Sequence, residues 1–258
     1  MTVRRLLTLI VLATVLGRVA FLLFFSHTLS LQTSGYDTYA VNVMEGQGYT
    51  RFEDRTGDSD LPPLYPYFLV GVYKLFGRDP LSVAIVQIFL DVIVVLLLFW
   101  IGRRVGGDWA GLLSAAFYGL YPYLLFQNVS LNDTGIFILF LTAGIALSYR
   151  VLDAQNWRAA LGLGLMFGLA ALTKTLVLLI LPLLALWWWK HLGFRSAFRL
   201  GLISALALLA VISPWIIRNI RLHDAFVLIS TNDGSNLHQG NNSCVADYLA
   251  RGWDAQWV

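Results

Sequence analysis

Long apolar runs, separated by polar segments, follow one another along most of the chain. About twenty consecutive apolar residues are enough to cross a bilayer as a helix, so we interpret these runs as membrane spans. They are residues 6–25, 81–101, 109–125, 133–149, 159–189 and 200–217. The pattern predicts an all-α polytopic membrane protein with a polar stretch at 26–79 and a polar tail at 218–258.

The distribution of basic residues predicts the side of the membrane that each polar segment faces, because cytoplasmic loops carry an excess of Lys and Arg. Basic residues at 4–5 precede the first run and predict a cytoplasmic N-terminus. They recur at 103–104, 150–158 and 190–199. All of these segments can be cytoplasmic only if the long run 159–189 crosses the membrane twice.

We therefore predict a hairpin of two short helices in that run, with its turn near 172–174, which brings the number of spans to about seven. The turn places Lys174 at the external surface, whereas the alternative is one long tilted helix with Lys174 buried. Residues 1–217 then form a transmembrane module of the cell membrane, and 218–258 form an external tail. Because every long polar segment faces outward, we expect the functional site on the external side.

Composition and charge exclude several other classes of protein. Hydrophobic residues make up 58% of the chain and charged residues 13%. The net charge of +3 comes from basic residues at the ends of apolar runs rather than from one block, which indicates membrane topology and not nucleic-acid binding. The single cysteine, Cys244, excludes an intramolecular disulfide.

The first external loop, 26–79, holds an acidic residue in an unusual position. Its segment SGYDTYAVNVMEGQGY predicts an amphipathic interfacial helix over 36–45. On a helical wheel Asp37 projects into the apolar arc, where a buried carboxylate is unfavourable unless a cation or donor offsets it. The alternative is a capping box, with Ser34 as N-cap and Asp37 as the third helical residue. A second interfacial helix is predicted over 62–77.

Five further charged residues lie within or at the ends of the spans. Arg18 and Asp91 fall inside the first and second spans, where an ionisable residue marks a functional site, snorkels to the interface or pairs with another helix. Asp133 opens the fourth span from the external side, where the helix dipole favours an acid. Arg218 and Arg221 end the last span, where they can bind a phosphate or simply lipid headgroups.

Several motifs together resemble bacterial membrane glycosyltransferases of the GT-C class, akin to protein O-mannosyltransferases and the aminoarabinose lipid A transferase. They occur in the family's order: GYDTYAVNVMEGQGY, PPLYPYFLVGVYKLFG, GLAALTK, PWIIRN and STNDGSNLHQGNN. The resemblance implies a GT-C-like helical fold with interfacial helices in the first external loop. Relatives usually run to several hundred residues, so we expect this chain to be a truncated N-terminal part.

The resemblance also implies a mechanism and a set of site residues. A polyprenyl phosphate carries the sugar on the external leaflet, and an acid of the first external loop, here Asp37, assists an acceptor hydroxyl. Many relatives carry a second acid where this chain has Thr38. Asp133 matches the acid that opens the fourth span and joins Asp37 as a catalytic candidate. The cations assigned to the donor phosphate are Lys174, Arg218, Arg221 and Arg18.

The residues leave some alternatives open. A transporter or flippase of lipid-linked glycans would show internal repeats and polar residues at the midplane, whereas the polar residues here gather on one face. A membrane scaffold without catalysis is a third interpretation. The acceptor can be a protein, a lipid or a glycan, with membrane lipids surrounding the spans. A divalent metal shared by Asp37 and Asp133 stays open, although no histidine joins them.

Overall fold

The protein is a bundle of helices in the computed structural model, which describes residues 2–29, 35–52, 57–242 and 244–250. Within these ranges all regular structure is helical. The α-helices are α1 (Val3–Phe24), α2 (Tyr36–Met44), α3 (Leu64–Phe76), α4 (Pro80–Leu120), α5 (Pro122–Val129), α6 (Thr134–Ala154), α7 (Trp157–Ala171), α8 (Ile180–Leu192), α9 (Phe194–His223), α10 (Asp233–Asn241) and α11 (Val245–Ala250). Two short 3₁₀ helices lie at Ser26–Thr28 and Thr175–Leu179.

The predicted all-α membrane architecture is confirmed. Among the described residues, 5 helices are long and apolar enough to cross a membrane. They are Val3–Phe24, Pro80–Leu120, Thr134–Ala154, Thr175–Leu192 and Phe194–His223. The second of these, α4, is broken in its middle, and α7 is a shorter apolar helix of 15 residues. Counting both halves of α4 and adding α7 gives the seven apolar segments that the sequence predicts.

The break in α4 lies at Gly106 and Gly107, between the second and third predicted spans. Gly107 has a φ of 79°, a conformation that favours glycine, and the chain reverses there. The two halves then pack closely, because a Cβ on Gly111 would lie 2.7 Å from the carbonyl oxygen of Phe99. Glycine thus provides both the turn and the close approach of the hairpin.

A second break divides the predicted span 159–189, so the alternative of one long helix is wrong. Helix α7 ends at Ala171, and the backbone N–H of Lys174 still donates to the carbonyl of Ala170 at 2.8 Å. Lys174 itself is extended, with φ −142° and ψ 111°, and the 3₁₀ turn and α8 follow it. The predicted hairpin is therefore present, with Lys174 in its turn.

Helices α7 and α9 pack closely in the core. A Cβ on Gly164 would lie 2.1 Å from the carbonyl oxygen of Ser204, and one on Gly168 would lie 2.7 Å from Cβ of Val211. Small residues four positions apart let two helix backbones approach in a membrane. Large side chains that are fully buried nearby include Leu163, Phe167, Leu200 and Ile212.

Two of the ion pairs lie at the opposite ends of α6, which are about 30 Å apart at 1.5 Å per residue. Near the C-terminal end of α6, Asp153 pairs with Arg104 of the α4 hairpin. At the N-terminal end, Asp133 pairs with Lys174. The start of α3 lies at this same end, since Leu64 N–H donates to the carbonyl of Leu172 at 3.1 Å. The segments predicted to be external therefore meet at one end of the bundle.

The C-terminal region is more helical than the sequence predicts. Helix α9 continues past the predicted end of the span at 217 and stops at His223. The segment NDGSNLHQGNNS of the predicted polar tail contains the helix Asp233–Asn241.

Candidate functional site

Asp37 lies at the start of α2, with its side chain directed into the protein. The N-cap of α2 is Gly35, whose φ of 74° is left-handed, so Asp37 is the second helical residue rather than the third. Ser34, the predicted cap, lies outside the described residues. Asp37 is only 4% exposed, which agrees with the wheel prediction that it points away from the polar face.

Three donors surround the Asp37 carboxylate. The hydroxyl of Tyr73, on α3, donates to Oδ1 at 2.8 Å. The guanidinium of Arg78 donates through Nε to the same oxygen at 3.1 Å and through Nη2 to Oδ2. This two-pronged ion pair is the geometry in which Arg binds carboxylates most strongly. The carboxylate side chain is 6% exposed, whereas that of Arg78 is 50% exposed.

Asp133 forms a second pair of the same kind. Its Oδ1 lies 3.0 Å from Nζ of Lys174, and the side chains are 10% and 40% exposed respectively. The hydroxyl of Tyr36 also donates to Asp133. Each predicted acid is thus buried, and each is neutralised by a cation that reaches water.

One helix joins the two pairs, because Tyr36 and Asp37 are consecutive residues of α2. Tyr36 donates to Asp133, which pairs with Lys174, and Asp37 accepts from Arg78. The start of α2 therefore links the first external loop to the start of α6 and, through Lys174, to the turn after α7. The ring of Tyr36 packs edge-on against Tyr65 of α3, with centroids 4.9 Å apart, which fixes its direction.

Protonation of the surrounding tyrosines fits this arrangement. Burial is the main cause that raises the pKa of Tyr36 well above its ordinary value, with the charge of Asp133 adding to it. Burial also raises the pKa of Tyr73, and its hydrogen bond to Asp37 raises it further. Both hydroxyls keep their protons at neutral pH and act as donors to the carboxylates. The hydrogen bond to Asp37 raises the pKa of Arg78, which keeps its charge.

The described residues offer little for a metal ion. They contain no group of three or more His, Cys, Asp or Glu side chains that could hold one. Asp37 and Asp133 face a guanidinium and an ammonium group, and a cation in either place would have to displace that partner. The arrangement favours binding of an anion, because both partially exposed groups are positive.

Arg218 lies at the same end but is held differently. Its Nη1 donates to the carbonyl of Asp58 and to Oγ of Ser59, both at 2.6 Å, and its Nη2 donates to the carbonyl of Tyr49 at 3.0 Å. The guanidinium stacks on Trp215, 4.6 Å from the ring centroid. Arg218 therefore fastens the first external loop to the end of α9.

A cavity of about 450 Å³ opens beside Arg218. Aromatic, proline and aliphatic side chains from several elements surround the guanidinium there. The lining consists of Tyr49, Pro63, Leu64, Tyr67, Leu172, Val211, Pro214, Trp215 and Arg218. One cation in a largely apolar cleft suits a ligand that combines an anionic group with an apolar chain.

A larger cavity of about 810 Å³ lies between α8 and α9. Its lining is largely apolar, and the Ser204 hydroxyl in it already donates to the carbonyls of Ala160 and Leu200. It offers no acid, base or cation for group transfer. We therefore place the candidate site at the charged pairs and not at this cavity.

Arg18, one of the predicted phosphate-binding cations, lies apart from this group. Arg18 is 1% exposed and forms an ion pair at 2.9 Å with Asp91 of α4, and the Tyr118 hydroxyl also donates to Asp91. Arg18 does not snorkel, because the bundle supplies its counter-charge. Arg221 is exposed on the last turn of α9.

Sequence reasoning missed Arg78, Tyr73 and Asp58 as partners of the site. Asp58 is buried and accepts the hydroxyl of Tyr39 from α2. The charge rule does not single out Arg78, because Arg51, Arg55 and Lys74 are basic residues of the same segment predicted to be external. The other two resemble ordinary loop and helix residues, and only their distant partners show what they do.

Comparison with known proteins gives one result. The profile of the dolichyl-phosphate-mannose-protein mannosyltransferase family matches residues 60–217, which is more than half of the chain. A search of curated proteins finds no match. A search of solved structures finds none either.

Proposed function

The chain belongs to the dolichyl-phosphate-mannose-protein mannosyltransferase family, and is thus a membrane glycosyltransferase of the GT-C type; from this premise we propose that it moves a sugar from a polyprenyl-phosphate donor to an acceptor hydroxyl at the external face. Family membership favours a transferase over the transporter and scaffold alternatives. The acceptor is a protein, a lipid or a glycan.

The pairing of two buried acids with two partially exposed cations is the observation that supports this proposal. Asp37 and Asp133 are both largely buried, while Arg78 and Lys174 are 50% and 40% exposed. A lipid-linked sugar presents a phosphate that such cations can bind, and an acceptor hydroxyl needs only one base. The paired free carboxylates of a glycosidase are not required, because the phosphate is already a good leaving group.

In the proposed reaction, the acceptor oxygen attacks the anomeric carbon from the side opposite the phosphate. The new carbon–oxygen bond forms as the bond to the phosphate oxygen breaks, and the electron pair leaves with the polyprenyl phosphate. Asp37 takes the proton of the acceptor hydroxyl. Lys174, held by Asp133, stabilises the charge that grows on the phosphate. Direct displacement inverts the configuration at the anomeric carbon.

We assign the donor's lipid-proximal part to the cleft beside Arg218. Its aromatic and aliphatic lining suits the first isoprene units, and the guanidinium faces the same space. Arg221, exposed on the same helix end, contributes to attraction of the anionic donor. Arg18 takes no part in this proposal, since its charge is already matched by Asp91.

The test is a transfer assay with the purified protein and polyprenyl-phosphate-linked sugars, with release of polyprenyl phosphate as the readout. Asp37→Asn is expected to reduce the rate by about a hundredfold or more, as loss of a general base does. Asp60→Asn is the matched control, because Asp60 lies in the same loop in a partly exposed pair with Arg51. Full activity of the Asp37 variant would exclude it as the base.

A further inference from the structure

The position and contacts of Arg78 support an inference that goes beyond both the family match and the proposed mechanism. It lies between α3 and α4, where Gly77 has a φ of 86° and the Asp79 side chain caps α4 through the N–H groups of Leu81 and Ser82. These features fix its backbone. Its side chain reaches across to α2 and holds both oxygens of Asp37 while remaining half exposed.

This contact opposes the role proposed for Asp37. A general base needs an oxygen within hydrogen-bond reach of the substrate hydroxyl, and both oxygens of Asp37 already accept hydrogen bonds from the guanidinium of Arg78. The Tyr73 hydroxyl takes a further position on Oδ1. Movement of Arg78 away from Asp37 would free Oδ2 for the acceptor hydroxyl.

The donor brings the group that can do this. The phosphodiester of the donor binds arginine in the same two-pronged manner as a carboxylate and carries the same single negative charge, so it can compete with Asp37 for a guanidinium that is already half exposed. We infer that Arg78 is a positioning residue that holds Asp37 while the donor is absent and turns to the donor phosphate when it binds, which frees an Asp37 oxygen for the acceptor hydroxyl. The inference rests on the proposed function and adds a control of the base by the substrate.

Such an exchange makes Asp37 and the phosphate competitors for one guanidinium. Removing Arg78 should therefore weaken donor binding, and removing the charge of Asp37 should strengthen it, because Arg78 is then free to receive the phosphate. A purely structural ion pair predicts the opposite for Asp37, since loss of the pair would loosen the site. The two explanations thus differ in the sign of one measurement.

The experiment measures the affinity of polyprenyl phosphate, without sugar, for the purified protein in detergent micelles. Arg78→Gln is expected to bind it about tenfold or more weakly, the loss of one charge-assisted contact. Asp37→Asn is expected to bind it at least about threefold more tightly than the unaltered protein. The double variant should lose that gain and bind as weakly as Arg78→Gln alone.

Three comparisons keep the result interpretable. Lys74→Gln removes an exposed cation of α3 four residues earlier and should leave the affinity unchanged. Arg78→Lys keeps the charge without the two-pronged geometry and should fall between the unaltered protein and Arg78→Gln. Phosphatidylglycerol serves as a competitor, and we expect it to displace polyprenyl phosphate poorly.

Three outcomes would overturn the inference: unchanged binding in Arg78→Gln, weaker binding in Asp37→Asn, or equal displacement by phosphatidylglycerol. The last would make Arg78 a site for bilayer headgroups. Each variant is checked by its thermal unfolding, so that a loss of binding is not a loss of fold. These results are independent of the transfer assay, in which absence of transfer by the unaltered protein would remove the proposed function and full activity of Asp37→Asn would exclude Asp37 as the base.

Discussion

Arg18 and Asp91 show at the scale of single residues how this protein keeps charge inside a membrane bundle. The two side chains are 0% and 4% exposed and lie 2.9 Å apart. Arg18 also donates to the carbonyl of Gly119 and lies 5.8 Å from the centroid of the Tyr118 ring. The pair joins α1 to both halves of the α4 hairpin, so it determines how three apolar segments fit together.

Breaking this pair should be costly. Asp91→Asn leaves the guanidinium of Arg18 buried without a counter-charge, and we expect a loss of about 3–5 kcal/mol in the free energy of unfolding. The measurement is denaturant or thermal unfolding in detergent. The double variant Arg18→Gln with Asp91→Asn should recover much of the loss, because no uncompensated charge remains.

The exposed pair of Arg104 and Asp153 provides the comparison. Its side chains are 48% and 46% exposed, so Arg104→Gln should cost less than about 1 kcal/mol. Equal losses for Asp91→Asn and Arg104→Gln would contradict a special role for the buried pair.

The direction of Asp37 could be predicted from the sequence, but its partners could not. Helical periodicity alone shows that Asp37 leaves the polar face of its helix, because neighbouring residues determine that geometry. Arg78 lies 41 residues further along the chain, and the contact depends on how α2 and α3 pack. Lys174 and Asp133 were each predicted near the site, yet their ion pair also depends on the packing of distant segments.

At the scale of elements, α7 and α9 approach each other closely at two glycines. The motif GLGLMFG places Gly164 and Gly168 one turn apart on the face that meets α9. A Cβ at Gly164 would meet backbone, the carbonyl oxygen of Ser204 at 2.1 Å, and that contact cannot be relieved by turning a side chain. The helices would have to move apart.

Gly164→Ala should therefore lower the free energy of unfolding by about 1–3 kcal/mol through overpacking. Gly201→Ala on α9 is the matched control, since a Cβ there would meet nothing within 4 Å. It should stabilise the helix by up to about 1 kcal/mol, because alanine has the higher helix propensity. Unfolding of both variants in detergent gives the test, and a similar effect of the two changes would exclude the packing argument.

The helices themselves were largely predictable, and the reason is physical. Apolar runs of span length are stable in a bilayer as helices. Their number therefore followed from the hydrophobic pattern and from the side of the membrane that the basic residues predict for each loop. The break at 172–174 came from the positions of basic residues. The helices after 233 were missed, since a polar segment rich in Asn and Gly has no periodicity that distinguishes helix from loop.

At the scale of the whole molecule, ion pairs mark two opposite ends. Arg104 and Asp153 lie at one end, and Lys174 and Asp133 at the other. The distribution of basic residues predicts that the first end is cytoplasmic and the second external. The candidate site faces outward in that orientation, where a lipid-linked donor of the external leaflet can reach it.

Labelling with a membrane-impermeant maleimide tests this orientation in intact cells. Cys244 is first replaced by serine, since it is the only cysteine of the chain and is exposed. Lys174→Cys should then react from outside, because its side chain is 40% exposed at the external end. Arg104→Cys should react only after the membrane is permeabilised. Labelling in the reverse order would place the site in the cytoplasm.

The first external loop is attached to α9, a helix that is made much later in protein synthesis. Ser59 Oγ donates to Oδ1 of Asn219 at 2.7 Å, across 160 positions of sequence. In the predicted orientation, the loop enters the external space long before α9 is made, so its anchor is missing for most of the period of membrane insertion. Asp37 is made early and the support of its loop by Asn219 is made late, so we expect transferase activity only once α9 has joined the bundle.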